Sequence, residues 1–87
     1  MKIKEGFILR SVGSENVVVA VGEQSRKFNG MIRLNNTGKF LWELLKEDRT
    51  EEFLADELVA NYDIDREQAT ADVKRFAERL KEAEVLA

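Results

Sequence analysis

The chain of 87 residues contains no cysteine, no histidine and no proline. Without cysteine there is no disulfide framework and no thiolate zinc site. Without histidine the commonest general base and the commonest metal ligand are missing too. Stability must therefore come from packing alone, in a chain short enough to bury only roughly 60–65% of its unfolded surface. Charge of a single sign is lacking as well. Fourteen basic residues stand against 17 acidic ones, a net of −3, which argues against a general nucleic-acid binder whose affinity rests on neutralising phosphates. No apolar run approaches the ~20 residues that span a bilayer. Met1-Lys-Ile-Lys-Glu-Gly6 has no apolar segment after it of the kind a signal peptide needs. The expectation is one soluble cytoplasmic domain over residues 1–87, with no membrane association.

What is present falls into two halves. Phe7–Val12 and Val17–Val21 are β-branched and apolar, separated by Gly13-Ser14-Glu15-Asn16, which reads as a hairpin. Val17–Val21 does not alternate, so it is expected to be central or covered on both faces. A polar crossing from Glu23 to Lys27 follows, then an Asn29-Gly30 tight turn and a short third strand, Met31–Leu34. The pattern then turns helical. Asn35 or Asn36 caps a first helix expected to reach Lys46-Glu47, with Phe40, Leu41, Leu44 and Leu45 forming its apolar stripe. Thr50 caps a second helix, which buries Leu54, Ala55, Leu58, Val59 and Tyr62. Asp65 with Gln68 forms a capping-box signature for a long third helix, with Ala69, Val73, Phe76, Ala77, Leu80 and Ala83 on one face. The fold class expected is α+β: a three-stranded antiparallel sheet followed by three helices, winged helix-turn-helix-like.

Catalytic chemistry has little support. The carboxylate pairs Glu51/Glu52 and Asp63/Asp65 sit at helix starts, where capping and dipole complementarity account for them. Ser11, Ser14 and Ser25 have no histidine to serve as base. The five glycines are scattered at turns and at the Thr37-Gly38 cap, and form no phosphate loop. No enzyme activity, cofactor or metal site is expected. A winged-helix DNA-binding regulator is the alternative reading. Lys74, Arg75, Arg79 and Lys81 make the third helix partly basic, but Asp65 and Glu67 occupy the end a recognition helix presents to bases. Asp72, Glu78, Glu82 and Glu84 interleave with the cations, and Glu78 and Glu82 are spaced to pair with Arg75, Arg79 and Lys81 on a solvated face. The third possibility is peptide binding. If Met31–Leu34 lies at a sheet edge, its free backbone groups can pair with an incoming strand. In the ordinary reading those residues are core, as are Trp42, Leu44 and Leu45.

The order Phe7-Ile-Leu-Arg10, Asn29-Gly-Met-Ile-Arg-Leu-Asn35 and Thr37-Gly-Lys-Phe-Leu-Trp-Glu-Leu-Leu45 resembles the PqqD family. Thr50–Leu54, Tyr62–Asp65 and Ala71–Phe76 with Leu80 continue the match. Its most specific part is Leu34-Asn35-x-Thr37-Gly38-x-x-x-Trp42; a departure is Glu84, where many relatives carry glycine. The resemblance implies a non-catalytic domain, also called a RiPP recognition element, that binds the leader segment of a ribosomally made precursor peptide. The leader adds as a strand beside the third strand and is presented to a modifying enzyme, of radical-SAM type in pyrroloquinoline quinone biosynthesis. Carried onto this chain, the resemblance puts the pairing strand at Met31, Ile32, Arg33 and Leu34, approached through Phe28 and Asn29. Asp72, Val73, Arg75, Phe76, Arg79 and Leu80 form the opposite wall. Proline at Ile32 would then weaken binding if that N–H faces the ligand. A monomer or weak dimer is expected.

Overall fold

The computed structural model describes residues 1–28 and 30–87. Its elements are β1 (Phe7–Val12), β2 (Glu15–Ala20), α1 (Gln24–Lys27), β3 (Met31–Leu34), α2 (Asn36–Leu44), α3 (Glu51–Asn61) and α4 (Arg66–Glu82). The strands form one antiparallel sheet in the order β1-β2-β3. This is the α+β class expected, and the winged-helix description fits it. The non-alternating valine strand is indeed central, with Val17 and Val18 both buried. Asn29, assigned to a turn and to the peptide approach, lies outside the described residues.

Pleat alternation divides the strands cleanly. Phe7, Val18, Ile32 and Leu34 face a core completed by Leu41, Trp42 and Leu45 of α2 and its end, Leu54, Ala55 and Leu58 of α3, and Ala69, Val73, Phe76 and Leu80 of α4. All six residues assigned to the inner face of the last helix are buried or partly buried. On α3, Val59 is exposed rather than core, because it lies at the edge of the stripe that packs on α4.

Each long helix starts at the expected polar residue. Asn35 Oδ1 accepts from Gly38 N at 2.7 Å, Thr50 Oγ1 from Phe53 N at 3.0 Å and Asp65 Oδ1 from Gln68 N at 2.8 Å. The capping box at Asp65 is only half formed. The Gln68 side chain reaches forward, Nε2 donating to Asp72 Oδ1, and among the described residues its oxygen takes no bond from the Asp65 N–H. Boundaries also differ from expectation: β2 runs over Glu15–Ala20, not Val17–Val21, so only Gly13-Ser14 separate it from β1. The polar crossing Glu23–Lys27 contains one helical turn, α1, held by Phe28 N to Gln24 O and by Ser25 Oγ to Gly22 O. The first long helix ends at Leu44, not Lys46-Glu47, because Lys46 N and Glu47 N reach back only three residues, to Glu43 O and Leu44 O. Such tightened last turns satisfy terminal carbonyls without extending the helix.

The end of α4 carries the departure at Glu84. Val85 N donates to Leu80 O and Glu84 N to Lys81 O, the paired bonds of a Schellman cap. Glu84 sits in the left-handed region at φ 58°, where glycine is the usual occupant because it has no Cβ to clash. Beyond it, Leu86 bridges Ile3, and Ala87 N donates to Lys2 O, an N- to C-terminal pairing that no local pattern announced.

Candidate functional site

β3 is an edge strand, so among the described residues one of its sides has no strand partner. Two independent bonds reveal which of its backbone groups are left over. Val21 N donates to Gly6 O, and in an antiparallel ladder hydrogen-bonded and non-bonded pairs alternate. Ile8–Val19 and Arg10–Val17 are therefore bonded pairs of β1 and β2, so Asn16 and Val18 turn their groups to β3. In the register Asn16–Leu34, Val17–Arg33, Val18–Ile32 and Val19–Met31, Ile32 and Leu34 bond to β2. Met31 and Arg33 direct their N–H and C=O outward. The second bond agrees: Arg33 O accepts from Arg79 Nη2 of α4 at 2.7 Å, and so points away from β2. Within Met31–Leu34 the free backbone groups are thus those of the alternate residues Met31 and Arg33, and the Ile32 N–H faces the sheet, so the condition set for proline at Ile32 is not met.

The outward side of β3 runs along α4, leaving a groove with a cleft towards each end. At the Leu34 end a cleft of about 220 Å³ is lined by Leu34, Asn35, Thr37, Gly38 and Leu41 on one side and Asp72, Arg75, Phe76 and Arg79 on the other. Its floor is apolar, from Leu34, Leu41 and Phe76. Its rim is charged, with Arg75 Nη2 3.4 Å from Asp72 Oδ1 and Arg79 held by the Arg33 carbonyl. At the Met31 end Phe28 packs edge-on against Phe7, ring centroids 5.4 Å apart. Both line a second cleft of about 220 Å³ with Lys4, Gln24, Lys27, Ala83 and Glu84.

Local sequence explains why the first cleft is open. Asn35 must be extended to cap α2, so the chain turns abruptly from β3 into the helix. Gly38 lets that first turn lie against the strand, since a Cβ there would come 3.3 Å from both Leu34 Cβ and Asn35 Oδ1. Asn16, buried in β2, fixes the junction by donating from Nδ2 to Leu34 O (3.3 Å) and Asn36 Oδ1 (3.4 Å). The fork of one amide across β3 and α2 holds the mouth of the cleft in shape.

Of the residues assigned from sequence, Leu34, Asp72, Arg75, Phe76 and Arg79 come together in the first cleft, and Phe28 lies in the second. Met31 and Arg33 are exposed on the strand between them, Met31 at 59%. Val73 and Leu80, 1% and 0% exposed, lie beneath the surface as core, and the Ile32 side chain faces inward with them. The expected pairing of Glu78 and Glu82 with Arg75, Arg79 and Lys81 is replaced by the Arg75–Asp72 pair. Among the described residues no carboxylate lies within ion-pair distance of Arg79. Asn35, Thr37, Gly38 and Leu41 were missed as lining residues. The signal is Leu34-Asn35-x-Thr37-Gly38, for which capping is a sufficient local explanation.

Solved structures share this architecture. One described as TbiB1 in complex with the TbiA(beta) leader peptide is 26% identical with a TM-score of 0.77, the match covering 99% of this chain and 94% of that one. Another, described as lasso peptide synthetase B1 complexed with the leader peptide, has a TM-score of 0.75 over 98% and 93% of the two chains; at 18% identity it shows the shared fold. No curated protein matches in sequence. The family model described as coenzyme PQQ synthesis protein D (PqqD) matches residues 11–86, which take in β2, β3 and all three long helices, and the chain belongs to that family.

Proposed function

We propose that this protein is a RiPP recognition element: it binds the leader segment of a ribosomally made precursor peptide by strand addition to β3 and presents it to a modifying enzyme. The observation that carries the reading is the edge itself. Met31 and Arg33 offer outward N–H and C=O groups beside a groove walled by α4. An extended peptide laid there gains main-chain hydrogen bonds whatever its sequence, and selectivity from what its alternate side chains meet. Side chains opposite Ile32 and Leu34 turn to the α4 side of the sheet, because cross-strand partners share a face. The one opposite Leu34 reaches the cleft floored by Leu41 and Phe76, which suits an apolar residue. That TbiB1, a structural neighbour, is described in complex with a leader peptide supports the reading of a leader-binding domain.

The protein performs no chemistry in this reading; it raises the local concentration of substrate at a catalyst, for which a radical-SAM enzyme is our candidate. The test is an amide NMR titration of the isotope-labelled protein with leader peptides encoded beside its gene. Shifts concentrated on Phe28, Met31–Leu34, Asn35–Gly38 and Asp72–Arg79 are expected. No response to any such peptide, with shifts on duplex DNA that weaken steeply with salt, would assign the domain instead to DNA regulation.

A further inference from the structure

Arg79 occupies one of the two outward carbonyls that strand addition requires. Its guanidinium donates to Arg33 O across 46 residues of sequence, at 2.7 Å. Among the described residues it has no carboxylate partner, although Asp72 stands on the same wall, engaged by Gln68 and Arg75. An arginine without an anion is thus parked on the acceptor that a ligand N–H needs. We propose that Arg79 is a latch on the β3 edge, and that the leader opens it by exchange: a backbone N–H of the leader takes the Arg33 carbonyl while an Asp or Glu of the leader takes the released guanidinium.

The proposal rests on the strand-addition reading and adds to it the chemistry of the peptide. The leader residue paired with Arg33 points its side chain to the outer face, with the Arg33 side chain. Its two sequence neighbours turn to α4, where Arg79 arises. The acidic residue therefore belongs at one of those two neighbouring positions, which narrows the register to two choices as well as setting the charge. An exchange costs the protein little, since one charge-assisted bond replaces another. A neutral peptide must break the latch without return, and so is penalised. The latch also covers an edge acceptor that would otherwise invite strand pairing with wrong partners.

Two measurements test this, and the first needs no ligand. In arginine side-chain NMR of the free protein, the Arg79 guanidinium should show hindered rotation. Signals averaged like those of a solvated arginine would overturn the latch whatever the protein binds. The second compares wild type with Arg79→Met, which keeps the stem and removes the donors, using an adjacent-gene leader and copies with each Asp or Glu replaced singly by Asn or Gln. Wild type should prefer the acidic leader over one particular amide copy by about three- to tenfold. Arg79→Met should lose that preference to within about twofold, and should bind the amide copy at least as tightly as wild type does. If Arg79→Met weakens acidic and amide peptides equally, or if the Arg79 signals do not change on leader binding, the exchange is wrong while strand addition stands. If no leader binds either protein, strand addition fails and the exchange with it.

Discussion

A pair of proline substitutions on β3, one residue apart, separates an edge that binds from an edge that merely exists. Ile32 gives its N–H to the ladder with Val18 and buries its side chain at 7% exposure. Ile32→Pro leaves a buried Val18 carbonyl without its donor, about 1–3 kcal/mol, and loses packed aliphatic volume as well. The total, about 3–5 kcal/mol, is comparable with the whole stability of a domain of this size. Among the described residues the Arg33 N–H has no acceptor, and proline is tolerated on an edge strand at such a position. Arg33→Pro removes only an exposed side chain whose contact with Glu15 is long, 3.8 Å between charged atoms, and worth less than about 1 kcal/mol. The fold should therefore survive Arg33→Pro and fail with Ile32→Pro.

Binding should suffer in the variant that folds. One leader hydrogen bond is worth about 0.5–1.5 kcal/mol, two- to twelvefold in Kd, and the pyrrolidine ring also projects where the leader backbone would lie. With Arg33→Ala as the control for the lost side chain, Arg33→Pro should bind leader about tenfold more weakly. Circular dichroism melts would establish folding, and titration calorimetry the affinities. A folded Arg33→Pro that binds as well as Arg33→Ala would refute the assignment of the outward N–H, and with it strand addition at this edge.

The left-handed Glu84 offers a stability test. A non-glycine residue in that conformation costs about 1–2 kcal/mol, and glycine gives back about 0.5–1 kcal/mol in chain entropy. Glu84→Gly should stabilise by about 0.5–1 kcal/mol, a rise in Tm of about 2–8 °C; an unchanged or lower Tm would mean that the Schellman cap is not formed as described. At the other end of the chain, the Met1 ammonium donates to Asp48 Oδ1 at 2.7 Å and holds that carboxyl below its ordinary value by hydrogen bonding and by charge. A lowered folded value means a contribution that is complete above the unfolded value, roughly 3.9, and is lost as pH falls through the folded one. In a carboxyl NMR titration, N-terminal acetylation should raise the Asp48 inflection; an unmoved inflection would remove the ammonium as its cause.

Signals that act within a few residues were legible in the sequence. Caps at Asn35, Thr50 and Asp65 follow from side chains short enough to reach the third amide of a helix. The central place of β2 follows from unbroken apolar character. Which β3 groups point outward was not legible, because that parity depends on the β1–β2 turn and on the β2–β3 register, which pairs residues as distant as Asn16 and Leu34. Long-range partners of charged residues escaped for a related reason. Sequence spacing along α4 offered Glu78 and Glu82 to its arginines, but the tertiary fold brought the Arg33 carbonyl to Arg79. The cleft wall at Thr37–Leu41 was hidden behind a sufficient local explanation, since a capping motif that also shapes a cavity looks like a capping motif.

The pairing of Ile3 with Leu86 has a practical meaning for any larger assembly. Both ends of the chain emerge at one corner, beyond the last turn of α4, while the Leu34–Phe76 cleft opens further back along that helix. A tether attached at either end therefore starts from nearly the same point relative to the groove. With a flexible link of 15–20 residues, whose mean span is about 20–25 Å, a catalyst joined before residue 1 or after residue 87 would meet the held peptide at a similar effective concentration. The order of domains in such a fusion would be interchangeable, and its reach would be set by linker length alone.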